Sequence, residues 1–379
     1  MKYRFATLSL FYFLLLLTVT ACNNKKTTDQ KVPAGNQVTL SQAKGFNIVH
    51  GNNYTTVIVY NPWKKGEVYD TYYLVKAEAD SVPSDGHKVV IPVKSMMVNS
   101  ATHLGFLELL GELDKVTGVC STQYIYNPTI LKGVQEGKVK DLGESFNLDI
   151  ENLLMLHPQI VMTSAYNAED ENSRRMKQTG LNIIYNIEWQ EPTLLGRAEW
   201  IKFIAAFFDK ETMADSIYND VEKRYNDLQR MTTALSHAPS VFSGQDYRGT
   251  WSMAGGRSYT AQLFRDAGAN YYYANDSTAT SIPSSIEEAL IQFSKADIWI
   301  GVQANSLKEL EKTDSKYKLF KAFQQGKVYN TNRRMNATGG NDYWEGSVAR
   351  PDLLLSDMIK ICHPNLLPKY ELTYYEQLK

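Results

Sequence analysis

The segment LDIENLLMLHPQIVMTS, Leu148–Ser164, decides how the rest of the chain is read. An acidic start, Asp149 followed by Glu151, opens a short apolar helix, and His157-Pro158 stops it. QIVMTS follows at once, a compact apolar run of the kind buried on both faces of a parallel sheet. Working outward, the same helix-then-strand order recurs. A helix carrying Leu104, Leu107 and Leu110 ends near Gly111 and leads into VTGVCS, and LNIIYNIEW provides another strand. Helices alternating with short buried strands predict βαβ units and a mainly parallel sheet.

Before this region, TTVIVYNPW, TYYLVKAEA and HKVVIPV read as a β-rich extension with Pro- and Gly-bearing turns. After it, residues 194–233 lack proline, and their apolar residues recur at helical spacing (Trp200, Ile201, Phe203, Ile204, Phe207). This predicts one long connecting helix, with a break near Asp209 as the alternative. The α/β order then restarts with PSVFSG, SYTAQLFRDAGA, SIEEALIQFSKADIWIGV and KVYNTN, and RPDLLLSDMIKICHP is the last helix. The fold class predicted is α/β: two Rossmann-like lobes with mainly parallel sheets, joined by a long helical spine, plus an N-terminal β-rich extension.

At the N-terminus, Lys2 and Arg4 precede an apolar run from Phe5 to Val19 that closes on small residues. The run is short and no stop-transfer pattern follows, so a secretory signal is expected over residues 1–21. Val19-Thr20-Ala21-Cys22 resembles a bacterial lipobox, which implies acylation of Cys22 and a membrane anchor made of lipid alone. NNKKTTDQKVPAGNQ continues as a polar leash, and the tether is placed at 22–44, the first lobe with its extension at 45–193, the spine at 194–233 and the second lobe at 234–379.

A formal net charge of −1 over 379 residues argues against a nucleic-acid partner. The six histidines form no HExxH, and no cysteine pair has zinc spacing, so neither a resident metal nor another cofactor is expected. Cys120 and Cys362 are read as buried free thiols. No GxSxG elbow is present, so the chain is not read as an enzyme; the alternative is an exported hydrolase or a glycosidase whose carboxylates lie far apart in sequence.

The phrases LELLGELDKVTGVCS and KVKDLGESFNLDIENLLMLHPQIVM, then LLGRAEWIKFIAAFF, and finally SIEEALIQFSKADIWIGV and DYWEGSVARPDLLLSDMIKICHPNLLP resemble, in order and spacing, class III periplasmic binding proteins. The resemblance spans about Val89 to the C-terminus. It implies a receptor, monomeric and facing the periplasm, that captures a metal chelate (ferric siderophore, cobalamin or haem-like) for an ABC transporter permease. Ligand contacts are then expected on loops that follow strands. In the first lobe these are Tyr124, Tyr126, Tyr166 and Trp189. In the second they are Tyr247, Arg248, Trp251, Arg333, Arg334, Tyr343 and Trp344, with an arginine facing an anionic group. The resemblance also implies one acidic docking residue per lobe, Glu108 and Asp266. A bare metal ion is disfavoured, because such a site needs converging His and carboxylate ligands rather than aromatic loops.

Overall fold

A computed structural model describes residues 35–167 and 171–379. The signal at 1–21, the lipidation site Cys22 and the tether up to residue 34 lie outside the described residues.

Five parallel strands form the first-lobe sheet, in the order Ile183–Tyr185, Ile160–Thr163, Met96–Val98, Val116–Val119, Lys140–Asp141. The quoted segment sits in it as read. Asp149 caps the helix Ile150–Leu156 by accepting the Asn152 N–H at 3.0 Å, and His157 ends it in the left-handed region at φ 45°. All four residues of Ile160–Thr163 are buried. From Met96–Val98 the chain adds strands outward in one direction, then returns and adds Ile160–Thr163 on the other side. The switch point therefore lies between those two strands, the usual position of a ligand crevice in an open α/β sheet.

The N-terminal extension is a sheet of five strands, Asn36–Gln37, Phe46–His50, Thr55–Tyr60, Val68–Val75 and His87–Val90, antiparallel except for its last pair. It shares one hydrophobic core with the first lobe. Phe46 meets Trp200 and Phe203 at centroid distances of 4.9 and 5.6 Å, and Tyr72 meets Phe207 at 5.8 Å. Here the expected tether is corrected, because Gly35–Lys44 is held in place. The buried Glu199 carboxylate accepts the N–H groups of Ser41, Gln42 and Ala43 at 2.8–2.9 Å, and Glu191 accepts those of Lys44 and Gly45. A polar composition does not make a leash where two buried carboxylates collect the backbone donors.

The spine is two helices, Leu194–Ala206 and Glu211–Thr232, separated where Asp209 takes φ 60°. In the first helix every residue but Arg197 is buried, which suits a helix apolar on all sides. Its Glu199 and Lys202 neutralise each other at 3.1 Å.

The second lobe has parallel strands Val241–Ser243, Ile298–Val302 and Val328–Asn330, edged by the antiparallel Glu376–Gln377, and a separate meander of Asp246–Tyr247, Thr250–Ala254 and Ser281–Ser284. Its core is an aromatic stack in which Phe242 lies 5.1–5.2 Å from Phe293, Trp299 and Phe320. Pro351 opens the last helix, Pro351–Cys362, and Asp357 on it accepts the N–H groups of Thr373, Tyr374 and Tyr375, tying down the C-terminal tail. Cys120 and Cys362 are free and buried.

Candidate ligand-binding cleft

The carboxyl ends of the first-lobe strands carry Asn99–Thr102, Ser164–Tyr166 and Glu188–Trp189. Across the switch point Asn99 Nδ2 donates to Thr163 Oγ1 at 3.0 Å. Behind this edge lies a buried polar group. His103 is wholly buried, with Nε2 3.4 Å from Ser164 Oγ and 3.8 Å from the Glu188 carboxylate. Burial pushes the His103 imidazole down to about 3, so it is neutral at any physiological pH. Burial raises Glu188, and the nearby Arg197 guanidinium opposes that rise. Arg197 Nη2 stands 3.8 Å from Glu188, and its plane lies over the Tyr259 ring at 4.9 Å.

Arg197 opens into a small cavity of about 50 Å³ between the lobes, lined also by Thr102, Tyr259, Tyr343, Trp344 and Val348. A larger cavity of about 310 Å³ shares Tyr259, Tyr343 and Trp344 and runs along the second lobe past Ser243, Ser252, Ser258, Thr280, Thr331 and Tyr375. Gly244 forms part of its wall at φ 89°, where a Cβ would meet Ser252 O at 2.9 Å, so only glycine fits that turn. Among the described residues lining the two cavities, Arg197 is the one charged side chain.

One end of the cleft is shut by a clasp. Asn341 caps the single turn Asp342–Glu345, accepting the Tyr343 N–H at 2.9 Å. The turn lies against helix Ala101–Leu110, where a Cβ on Gly105 would come within 2.5 Å of the Glu345 carbonyl oxygen. Glu345 Oε2 accepts the Tyr126 N–H at 2.8 Å and the Asn127 N–H at 3.4 Å, and Asn336 Nδ2 donates to Ile125 O at 2.8 Å. Burial pushes the Glu345 carboxyl up to about 8.

The sequence-derived residues divide accordingly. Tyr343 and Trp344 line both cavities, their rings edge to face at 4.8 Å. Tyr166 and Trp189 form a row with Phe146 on the first-lobe edge, at 5.1 and 5.8 Å. Tyr126 belongs to the clasp, and Arg334 is not free for an anion: it pairs with Asp342 at 3.0 Å and covers the Tyr126 ring at 5.5 Å. Arg333 lies 3.6 Å from the exposed Glu371. Arg248, at φ 54° on a hairpin tip, stacks on the exposed Tyr247, and Tyr124 is also exposed; none of these lines either cavity. Trp251 is corrected outright. It is fully buried, stacked 5.6 Å from Trp299 and donating Nε1–H to Ser243 O, because alternate residues of its strand point into the core. Asp266 is corrected as a docking residue: it is buried, accepting from Tyr225 Oη at 2.6 Å and Gln229 Nε2 at 2.9 Å. Glu108 is exposed.

Sequence reasoning missed Arg197, Tyr259, Thr102 and the serines and threonines of the second lobe. One signal for Arg197 was present. In an otherwise apolar helix, Glu199 and Lys202 account for each other, which leaves an arginine in need of an opening or a partner.

The comparisons agree with this geometry. An uncharacterised lipoprotein of Methanocaldococcus jannaschii is 25% identical over 367 residues, covering 90% of this chain and 86% of the relative. A periplasmic binding protein from Veillonella parvula superposes with a TM-score of 0.58 at 16% identity, over 83% of this chain and 99% of that one. The periplasmic vitamin B12 binding protein BtuF of Vibrio cholerae gives 0.54 at 15% identity, over 71% and 96%. A family model described as periplasmic binding protein matches residues 98–334. With two α/β lobes meeting at a cleft beside a helical spine, the chain belongs to the class III periplasmic binding proteins.

Proposed function

We propose that this protein is a lipid-anchored receptor that captures a metal chelate, a ferric siderophore, a cobalamin or a haem-like compound, and hands it to an ABC importer. The observation that carries this reading is the pair of cavities that share Tyr259, Tyr343 and Trp344 as walls, with the aromatic row Phe146, Tyr166 and Trp189 on the first-lobe edge outside them. Aromatic walls suit a large, flat-faced ligand and cost little conformational entropy to order. The protein acts as a monomer without catalysis. Cys22 carries the lipid, and the receptor stays at the membrane face of the periplasm, as the lipoprotein relative supports. Among the described residues no helix is long and apolar enough to cross a membrane, and no group of three or more His, Cys, Asp or Glu could hold a metal ion. Exposed Glu108 is the first-lobe contact for the permease.

The test is direct. The full chain in detergent is titrated with ferric hydroxamates, a corrinoid and haem, following tryptophan emission and thermal shift. Saturable quenching by one class with a raised melting temperature is expected. Silence towards all three classes rejects the proposal.

A further inference from the structure

None of the arginines first expected to meet an anionic ligand lines either cavity, and the charge that does face the cleft comes from the spine. Arg197 is presented by a helix whose other residues are all buried, so its backbone position is fixed. The Tyr259 ring holds the guanidinium plane from one side at 4.9 Å. Glu188 stands behind it at 3.8 Å, beyond hydrogen-bonding distance, so the pair is attractive without consuming the guanidinium's donors. Arg197 Nε is buried and has no hydrogen-bond partner. A planar fork of donors with an unspent N–H beside a small cavity is a receptor for an oxyanion. The cavity, about 50 Å³, suits a carboxylate and not a ring.

The rest of the lining sets a limit on charge. The larger cavity offers hydroxyls (Ser243, Ser258, Thr280, Thr331) and aromatic faces, with no further cation and no acid among its described residues. A second anionic group on the ligand would be desolvated there without a partner, and burying an unpaired charge is strongly unfavourable. We propose that the cleft selects a chelate bearing one peripheral carboxylate, which docks on Arg197, while its uncharged body lies against Tyr259, Tyr343 and Trp344. This rests on the metal-chelate reading above. Arg197 is the specificity-determining contact and Glu188 a positioning residue behind it.

The test uses matched probes on the full chain in detergent at pH 7.5. One pair is a corrinoid with its peripheral amides intact and the same corrinoid with one amide hydrolysed to the acid. The other is a ferric hydroxamate and its mono-succinylated form. Dissociation constants are taken from tryptophan quenching. In at least one pair the monoacid binds about tenfold more tightly to the natural protein, the scale of a charge-assisted, bidentate contact. In Arg197→Gln that preference disappears while the uncharged member still binds, and in Arg197→Lys it is partly retained, since the ammonium keeps the charge but not the fork. Glu188→Gln weakens the preference without abolishing it. Equal affinity for both members of every pair that binds overturns the inference and leaves the chelate reading standing; this comparison needs no variant. A preference undiminished in Arg197→Gln also overturns it. If no member of either pair binds, this inference falls, while the chelate reading is decided separately by the three-class titration that includes haem.

Discussion

Replacing Glu345 by glutamine tests whether the clasp between the lobes is held by a protonated acid. In the folded protein burial moves this carboxyl from its ordinary 4.5 to about 8. Its two amide partners both use Oε2, which leaves Oε1 able to carry a proton. The folded state therefore binds a proton that the unfolded chain has lost between those two values. Stability contributed at this site is full below about pH 4.5 and declines as pH rises, levelling off above about pH 8. The limiting slope is about 1.4 kcal/mol per pH unit, and the whole change is about 5 kcal/mol at most. Glutamine keeps an oxygen for the Tyr126 and Asn127 N–H groups and cannot ionise. Glu345→Gln should then match the natural protein near pH 5 and exceed its stability by several kcal/mol near pH 8.5, on the order of the full linkage effect. Glu345→Ala should fail at both values, because two buried amides lose their acceptor at about 1–3 kcal/mol each. For a folded body of about 350 residues the unfolding entropy is about 0.7 kcal/mol per kelvin, so that loss appears as about 3–8 °C in melting temperature. Urea unfolding followed by tryptophan emission from pH 5 to 8.5 measures all three proteins. Parallel pH profiles for the natural protein and Glu345→Gln would refute the argument.

Three further outcomes follow from the fold. His103 has the opposite sign: its folded-state value of about 3 lies below the ordinary 6.5, so stability is lost as pH falls from 6.5 towards 3. In a Glu345→Gln background, adding His103→Gln should flatten that acid decline in the same urea titration. Removing the Glu199 carboxylate by Glu199→Ala should free the Ser41, Gln42 and Ala43 amides, speeding their hydrogen exchange by about two orders of magnitude while the first-lobe strands stay protected. Burial raises the Cys120 and Cys362 thiols to about 12 each, so in a Cys22→Ser chain neither should react with an aromatic disulfide reagent until urea is added, when both should titrate.

The lobes were legible because their signals are local. His157-Pro158 after an acidic helix start, and IVMT before a polar loop, specify helix then buried strand without reference to anything distant. The facing of side chains was less legible. Trp251 follows a strand and a turn, as a ligand-contacting aromatic would, yet strand alternation turns it inward. Asp266 occupies an expected helix position, but Tyr225 and Gln229, some forty residues upstream, bury it. Arg334 pairs with Asp342, eight residues further along the same segment. What could not be read was that Tyr126 of the other lobe completes the set. Such contacts between distant segments also created the clasp, where Gly105 admits the Glu345 backbone. The break at Asp209 shortened the expected spine, and the carboxylates of Glu191 and Glu199 took ten residues from the expected tether.

The way the tryptophans are distributed gives the protein a built-in optical division of labour. Trp200, Trp251 and Trp299 are fully buried away from water and should emit at shorter wavelength than exposed indoles, whatever occupies the cleft. Trp344, more than half exposed on the cavity wall, should supply the long-wavelength side of the band, together with the partly exposed Trp189 of the first-lobe edge and Trp63 of the N-terminal extension. A chelate seated against Trp344 would quench the red flank by a larger fraction than the blue, while both flanks would return the same dissociation constant. The same cuvette would report unfolding through the sealed trio, and occupancy and integrity could be read from one spectrum.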